Sequence, residues 1–484
     1  MNKKKLSICY LSIVLFFIVI YIVQPLIENH IKTITAVSLL IIVALFYIIK
    51  QIKKQKINYK DIILIIMILG VFIRAMYIVY TPITERQHDV YSIEDEGHLG
   101  YIYRIYETGK LPNTNNIQFY HPPLFHSIAA GWLRINDIFN ISLDRSLEGI
   151  QILTAIFSSL IMLVAYRIVE KIEIKNIYKI LIMAVMAFHP TFIILAGSIN
   201  NDILMILLIF YIILYLIKWN DQPNIKNTII LAIITGCTVM TKVSGAIMAV
   251  PIMYTFIKKI IEIWKTEKNK LLELFGKFML FGIISLPLGL WHPIRNLILF
   301  NQKLGGVLLP SEAFNIKNYS IFERFLSISF KEIFQELYCI IPGDHNIFAY
   351  IIKCSILGEF TYKSSISIYV TLFKIINLII VFVSILFTFI LITKNKTKDK
   401  NNFITTIILI TFFINIISYY WFNIKYPYLC TMDFRYIVPT IFTGITTICL
   451  VLNDYIKSDT IKEVIEYMIM LFCVLSFAFF FIAT

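Results

Sequence analysis

Residues 61–80 read DIILIIMILGVFIRAMYIVY. A run this long and apolar crosses the roughly 30 Å of hydrocarbon in a bilayer as one helix. Similar runs recur along all 484 residues, of which 58 % are hydrophobic and only 15 % charged. No soluble core needs so many. Inside hydrocarbon each backbone amide must be satisfied within its own segment, so helices are the expected form. The chain reads as an all-α polytopic membrane protein with about thirteen transmembrane helices. They fall near 7–26, 34–50, 61–80, 149–169, 180–197, 202–218, 228–241, 245–260, 276–294, 366–393, 403–422, 436–452 and 465–483.

Charge gives an independent test of that count. The short basic segments are Lys3-Lys4-Lys5, Lys50 to Lys60, Lys171 to Lys179, Lys258 to Lys277, and Lys394 to Lys400. With thirteen spans and a cytoplasmic N-terminus, all five fall on the cytoplasmic side, as the positive-inside rule requires. The large loops 81–148 and 295–365 then lie outside the cytoplasm of a multi-pass cell-membrane protein, together with 423–435. Much of the net charge of +14 is this orientation signal, and it excludes nucleic acid as the partner. The basic start and long apolar run at the N-terminus read as a retained first span, since no small-residue cleavage site follows.

The expected organisation is two N-terminal helices (1–60), a transmembrane core (61–294) carrying the outer loop 81–148, a second outer loop (295–365) and C-terminal helices (366–484). The seven cysteines have no metal-binding spacing. Cys339, Cys354 and Cys430 fall on the outer side, where one disulfide is conceivable, and the others read as small apolar residues within spans.

Ionisable residues near a bilayer mark function by default. Loop 81–148 concentrates them in SIEDEGHLGYI (92–102) and QFYHPPLFH (118–126), and also carries Glu85, Arg86, His88 and Asp89. The segment 99–106, LGYIYRIY, suits an interfacial helix. A carboxylate at an apolar boundary is a candidate general base toward a hydroxyl. Asp95 and Glu96, with His98 or His121, also suit a divalent cation, the one cofactor these residues suggest. Pro122 and Pro123 bias His121 toward an extended conformation and hold it beside Tyr120.

DEGHLG (95–100) followed by HPPL (121–124) resembles the paired motif of protein O-mannosyltransferases, where Asp-Glu-x-His-Phe-Gly precedes His-Pro-Pro-Leu-Gly-Lys in the first large outer loop. Those enzymes form glycosyltransferase family 39 within the GT-C superfamily. Weaker likenesses follow in order: Arg74, SINND (198–202), TKVSG (241–245), WHPIRN (291–296) and FRYIVP (434–439). The likeness spans about residues 70 to 440. Phe125-His126 replaces the family's Gly-Lys, and two spans precede its usual first one.

The resemblance implies a GT-C-like fold whose first outer loop is catalytic. It implies transfer of a sugar from a polyprenyl-phosphate donor to an acceptor glycan, lipid or protein among membrane lipids. It makes Asp95 the catalytic carboxylate, with Glu96 beside it and His98, Tyr120 and His121 lining the site; Asp89, in HDV (88–90), is the alternative acid. A departing phosphate needs cations, and Lys242, Arg295 and Arg435 are expected on the same side. Tyr319, Phe322 and Tyr338 are further candidates for stacking on sugar or covering lipid. Asp344 and His345 read as a surface turn, and His189-Pro190 as a helix break. The competing expectation is a transporter or lipid flippase, which would use the same acids as a relay but usually carries internal repeats.

Overall fold

The computed structural model describes residues 3–307, 309–339, 343–394 and 402–483. Among them there is no strand, only an isolated bridge between Asn315 and Tyr428. Lys396, Lys398 and Lys400 of the last basic run lie outside the described residues.

Helices α1 (Lys3–Ile27) and α2 (Ile31–Ile52) run into one another through a 3-10 turn at Glu28–His30, giving a 48-residue helical stretch from Lys5. That is about twice the length a bilayer takes. Its contacts divide it into two arms, packed against α3 (Tyr59–Tyr80) and a later helix that ends at Val169. Tyr10 accepts from Arg167, Tyr21 donates to Asn136, Lys32 lies over the Tyr80 ring, and Lys50 pairs with Asp61 at 2.8 Å. Lys32 therefore sits at the far end of α3 and Lys50 at its start.

The first loop carries α4 (His98–Thr108), α5 (Leu124–Ile138) and α6 (Leu143–Glu148). The core follows as α7 (Ile150–Val169), α8 (Asn176–Phe188), α9 (Pro190–Gly197), α10 (Asp202–Asp221), α11 (Ile225–Thr241), α12 (Ala249–Thr266) and α13 (Leu271–Phe300). The second loop holds α14 (Phe330–Phe334) and α15 (Ile347–Leu357), and the chain closes with α16 (Ser367–Lys394), α17 (Asn402–Lys425), α18 (Pro439–Asp454) and α19 (Asp459–Ile482). Each of the thirteen expected apolar segments lies almost wholly in helix. Among the described residues nine helices are long and apolar enough to cross a membrane, or ten if the bent pair Leu429–Ile437 and Pro439–Asp454 is one span. The stretch from Lys5 counts there once, and α11, with 17 residues, falls short of the length.

Lys60, Lys171, Lys179 and Lys394, from three of the basic segments, gather at one end. Lys60 and Lys179 both approach Glu170, at 3.5 and 3.7 Å, and Lys171 pairs with Asp221 at 2.9 Å. Tyr455 donates to the Lys394 carbonyl at that end. The loop after Tyr80 lies at the other.

One interruption of the core has a traceable cause. Pro190 has no N–H for Met186, Thr191 N–H turns to His189 Nδ1, and Phe192 N–H turns to the His189 carbonyl. Three carbonyls at the end of α8 thus lose their helical donors. Arg74, fully buried, donates to Met186 O at 3.2 Å and Ala187 O at 2.7 Å, and Ser476 donates to Phe188 O. His189-Pro190 is a helix break, as expected, and Arg74 is its cap. Arg74→Leu leaves two buried carbonyls unsatisfied and is expected to cost about 3 kcal/mol, measured as a lower thermal midpoint in nanodiscs. An unchanged midpoint would show that the break is satisfied otherwise.

Two readings of the second loop are corrected. Asp344 is not on a surface turn: it is buried and pairs with Lys353 at 2.7 Å. The seven cysteines are all free, and Cys354 donates to Asp433 rather than joining a disulfide.

Candidate active site

The residues RQHD (86–89) begin the first loop, and each of the last three grips a different element. Gln87 donates to Gly197 O at 2.8 Å and accepts from Ile199 N–H at 2.9 Å, which ties the loop to the turn between α9 and α10. His88 Nδ1 lies 3.3 Å from Glu359 and its Nε2 3.6 Å from Asp433. Asp89 accepts from Arg435 at 3.3 Å across 346 positions of sequence. Arg86, Asp89 and Tyr91 have φ of +52°, +57° and +52°. That left-handed backbone is tolerated by Asp but strained for Arg and Tyr, at about 1–3 kcal/mol each, so the surrounding contacts must hold it.

DEGHLG supplies much of that hold. At the start of α4, His98 N–H donates to Asp89 O at 3.0 Å and Leu99 N–H to Val90 O at 3.1 Å, so the loop carbonyls cap the helix. A Cβ on Gly100 would stand 1.7 Å from Asp95 O, so only glycine lets the loop fold back here. Asp95 itself is exposed and accepts from Ser92 N–H and Oγ at 3.1 and 2.8 Å, and those two bonds hold its carboxyl below the usual range. Glu96 accepts from Thr114 and Asn116, which fastens the strap 110–118.

A cavity of about 950 Å³ opens beside this loop. Asp89, Asp202, Lys242, Arg435 and Tyr436 border it with their polar groups, and Met205, Ile209, Ile247 and Phe422 add an apolar flank. Asp202, at the start of α10, accepts from Lys242 at 2.5 Å and lies 4.0 Å from Arg435. Lys242 also stands 5.0 Å from the centre of the Tyr436 ring. Arg435 is shared further with Asp433 at 3.2 Å. Buried carboxylates and cations are thereby paired throughout, as burial of charge demands.

Imidazoles and aromatics complete the border. His98, Tyr120 and His121 all line the cavity. His98 and His126 share a 2.9 Å contact between Nδ1 and Nε2, the Tyr120 and His121 rings lie 4.1 Å apart, and Tyr101 donates to His121 O. Burial, reinforced by the Lys242 charge, pushes His98 and His121 well below the ordinary histidine range, so both are neutral at pH 7.

The expected site residues thus divide. Asp89, His98, Tyr120, His121, Lys242 and Arg435 border one cavity; Asp95 and Glu96 do not. Arg295 donates to Pro112 O at 2.7 Å and so braces the first loop without lining the cavity. The second loop contributes Gln302, Lys303, Gly305, Gly306, Pro310 and Phe314, among others, rather than Tyr319, which stacks on His345, or Tyr338, which donates to Tyr362 O. Asp202, Tyr436 and His292 border the cavity without having been singled out. The visible signal was their place in SINND, FRYIVP and WHPIRN.

Among the described residues the one cluster with donor geometry for a metal is His88, Glu359 and Asp433, whose donor atoms lie within 4.8 Å of one another. Arg435 already faces Asp433. Burial and Arg435 push the His88 pKa down, but Asp433 and Glu359 outweigh them and raise it. The two carboxylates therefore favour the protonated form of His88. A raised folded pKa gives stability that is complete below the unfolded value, about 6.5, and lost as pH rises through the folded one. The thermal midpoint is expected to fall as pH increases above about 6.5, with that slope flattened in His88→Gln; an equal slope in both proteins would clear His88 of the effect.

Residues 132–291, about a third of the chain, match the family model described as dolichyl-phosphate-mannose-protein mannosyltransferase. No curated protein matches the chain significantly. The matched segment holds Asp202 and Lys242 but stops short of Arg435 and begins after Asp89. In that segment, and in its all-helical multi-span fold, the chain resembles polytopic glycosyltransferases of the GT-C type, family 39.

Proposed function

We propose that the protein is a membrane glycosyltransferase that moves a sugar from a polyprenyl-phosphate donor to an acceptor hydroxyl, with inversion, on the extracytoplasmic face. The observation that carries this reading is the Asp89–Arg435 pair on the wall of a cavity that also holds Lys242 and an apolar flank. One carboxylate, two cations and a greasy border are what this transfer needs at a membrane surface. The match of residues 132–291 supports the class of reaction. The gathering of three basic segments at the end away from the cavity supports the sidedness.

In this reading Asp89 takes the proton of the acceptor hydroxyl as its oxygen attacks the anomeric carbon, and the polyprenyl phosphate leaves with the bonding pair. Arg435 orients Asp89 by a direct hydrogen bond, and Lys242 and Arg435 offset the charge that grows on the phosphate. The neutral rings of His98 and His121, with Tyr120, face the reacting groups as hydrogen-bonding and stacking surfaces. Arg295 positions the loop. Residues 1–60 act as two added helices, 61–294 as the catalytic core with loop 81–148, 295–365 as the cover, and 366–484 as the helices that bring Arg435.

The test is turnover by the purified protein in nanodiscs with a panel of polyprenyl-phosphate sugars and simple hydroxyl acceptors. Release of free polyprenyl phosphate with a product of inverted anomeric configuration is expected. Absence of release with every donor, while a labelled lipid still crosses the bilayer, would replace transfer by transport.

A further inference from the structure

His292 lies on α13 with 1 % of its surface exposed, it borders the cavity, and neither of its ring nitrogens has a hydrogen-bond partner among the described residues. Leaving both polar atoms of a buried imidazole unsatisfied is costly. The arrangement is not slack, because the same helix face is firmly anchored one turn on. There Asn296 donates to Tyr120 O at 3.2 Å and to Gln302 at 3.1 Å. Trp291 packs edge-on against the His292 ring, with centroids 5.6 Å apart.

The chemistry of the ring limits what it can receive. A neutral imidazole offers one donor and one acceptor. A phosphate, which only accepts, would satisfy at most the donor nitrogen, and a prenyl chain would satisfy neither. Sugar hydroxyls, which both donate and accept, can satisfy either nitrogen. Resting on the glycosyltransferase reading, we infer that His292 reads hydroxyl groups of the sugar being transferred and so helps to set which sugar the enzyme accepts. The charged residues of the cavity serve the phosphate and the proton, and His292 serves the ring between them.

The experiment compares thermal shifts and affinities of the full-length protein in nanodiscs with bare polyprenyl phosphate and with polyprenyl-phosphate mannose, glucose and galactose. For wild type, one sugar-bearing lipid is expected to bind more tightly than the bare phosphate. His292→Phe is expected to erase that advantage, a loss of about 10- to 100-fold for two hydrogen bonds, while keeping the affinity for bare phosphate. His292→Gln, which retains a donor and an acceptor, should restore part of it. The free Phe variant should also melt higher than wild type, since it buries no unpaired nitrogen. Retention of the full sugar-dependent advantage by His292→Phe would overturn the assignment. So would an effect confined to acceptor KM. If no lipid shifts wild type at all, the donor reading itself falls, and this inference with it.

Discussion

Asp89→Asn is expected to lower turnover by at least about 10³-fold, because it removes the base and weakens the ion pair with Arg435 together. Asp95→Asn should stay within about threefold of wild type. Its carboxylate is exposed and bonded only to Ser92, and losing such a surface turn contact costs about 1 kcal/mol or less. The measurement is single-turnover release of free polyprenyl phosphate by both variants, with donor affinity recorded alongside. Affinity retained in Asp89→Asn while release is lost would place Asp89 in the chemical step. Full activity in Asp89→Asn with loss in Asp95→Asn would mean that the loop rearranges before catalysis and that DEGHLG carries the base after all.

The second large effect concerns Lys242 and Asp202. Lys242→Met leaves the Asp202 carboxylate, 1 % exposed, with only the distant Arg435 contact at 4.0 Å. Breaking a buried pair from one side costs about 3–5 kcal/mol. Lys242→Met with Asp202→Leu removes both charges, and most of the stability should return. Turnover should not: without Lys242 the phosphate loses a cation, and a deficit of at least about 10²-fold should persist. Thermal midpoints of the two single variants and the double one give the coupling, and their release rates separate it from catalysis. A double variant as active as wild type would reduce Lys242 to a structural partner of Asp202.

These two outcomes bear on how much of the molecule was legible beforehand. Membrane spans are local: each needs only about twenty apolar residues in a row, so DIILIIMILGVFIRAMYIVY and its counterparts could be placed from composition alone. The turn at Glu28–His30 and the break at His189-Pro190 follow the same local logic. Resemblance likewise directed attention to DEGHLG, HPPL, SINND and FRYIVP, and residues in or beside all four stretches help to build the cavity border.

The choice between Asp95 and Asp89 is not local. The two acids are six positions apart in one polar loop, and nothing in their neighbours says which faces inward. Three left-handed residues, the amides of His98 and Leu99 seated on the carbonyls of Asp89 and Val90, and the close approach at Gly100 turn Asp89 toward the cavity and Asp95 toward water. Arg435, 346 positions away, then fastens it. The same holds for Asp344, which composition suggests is a turn and packing makes a buried partner of Lys353. Sequence by itself determined that this is an α-helical membrane protein with ionisable residues clustered in the first large loop, because hydropathy and charge act over one segment at a time. Only the tertiary structure decided which of those charges meet, because pairing a buried charge is a matter of distance in space and not along the chain.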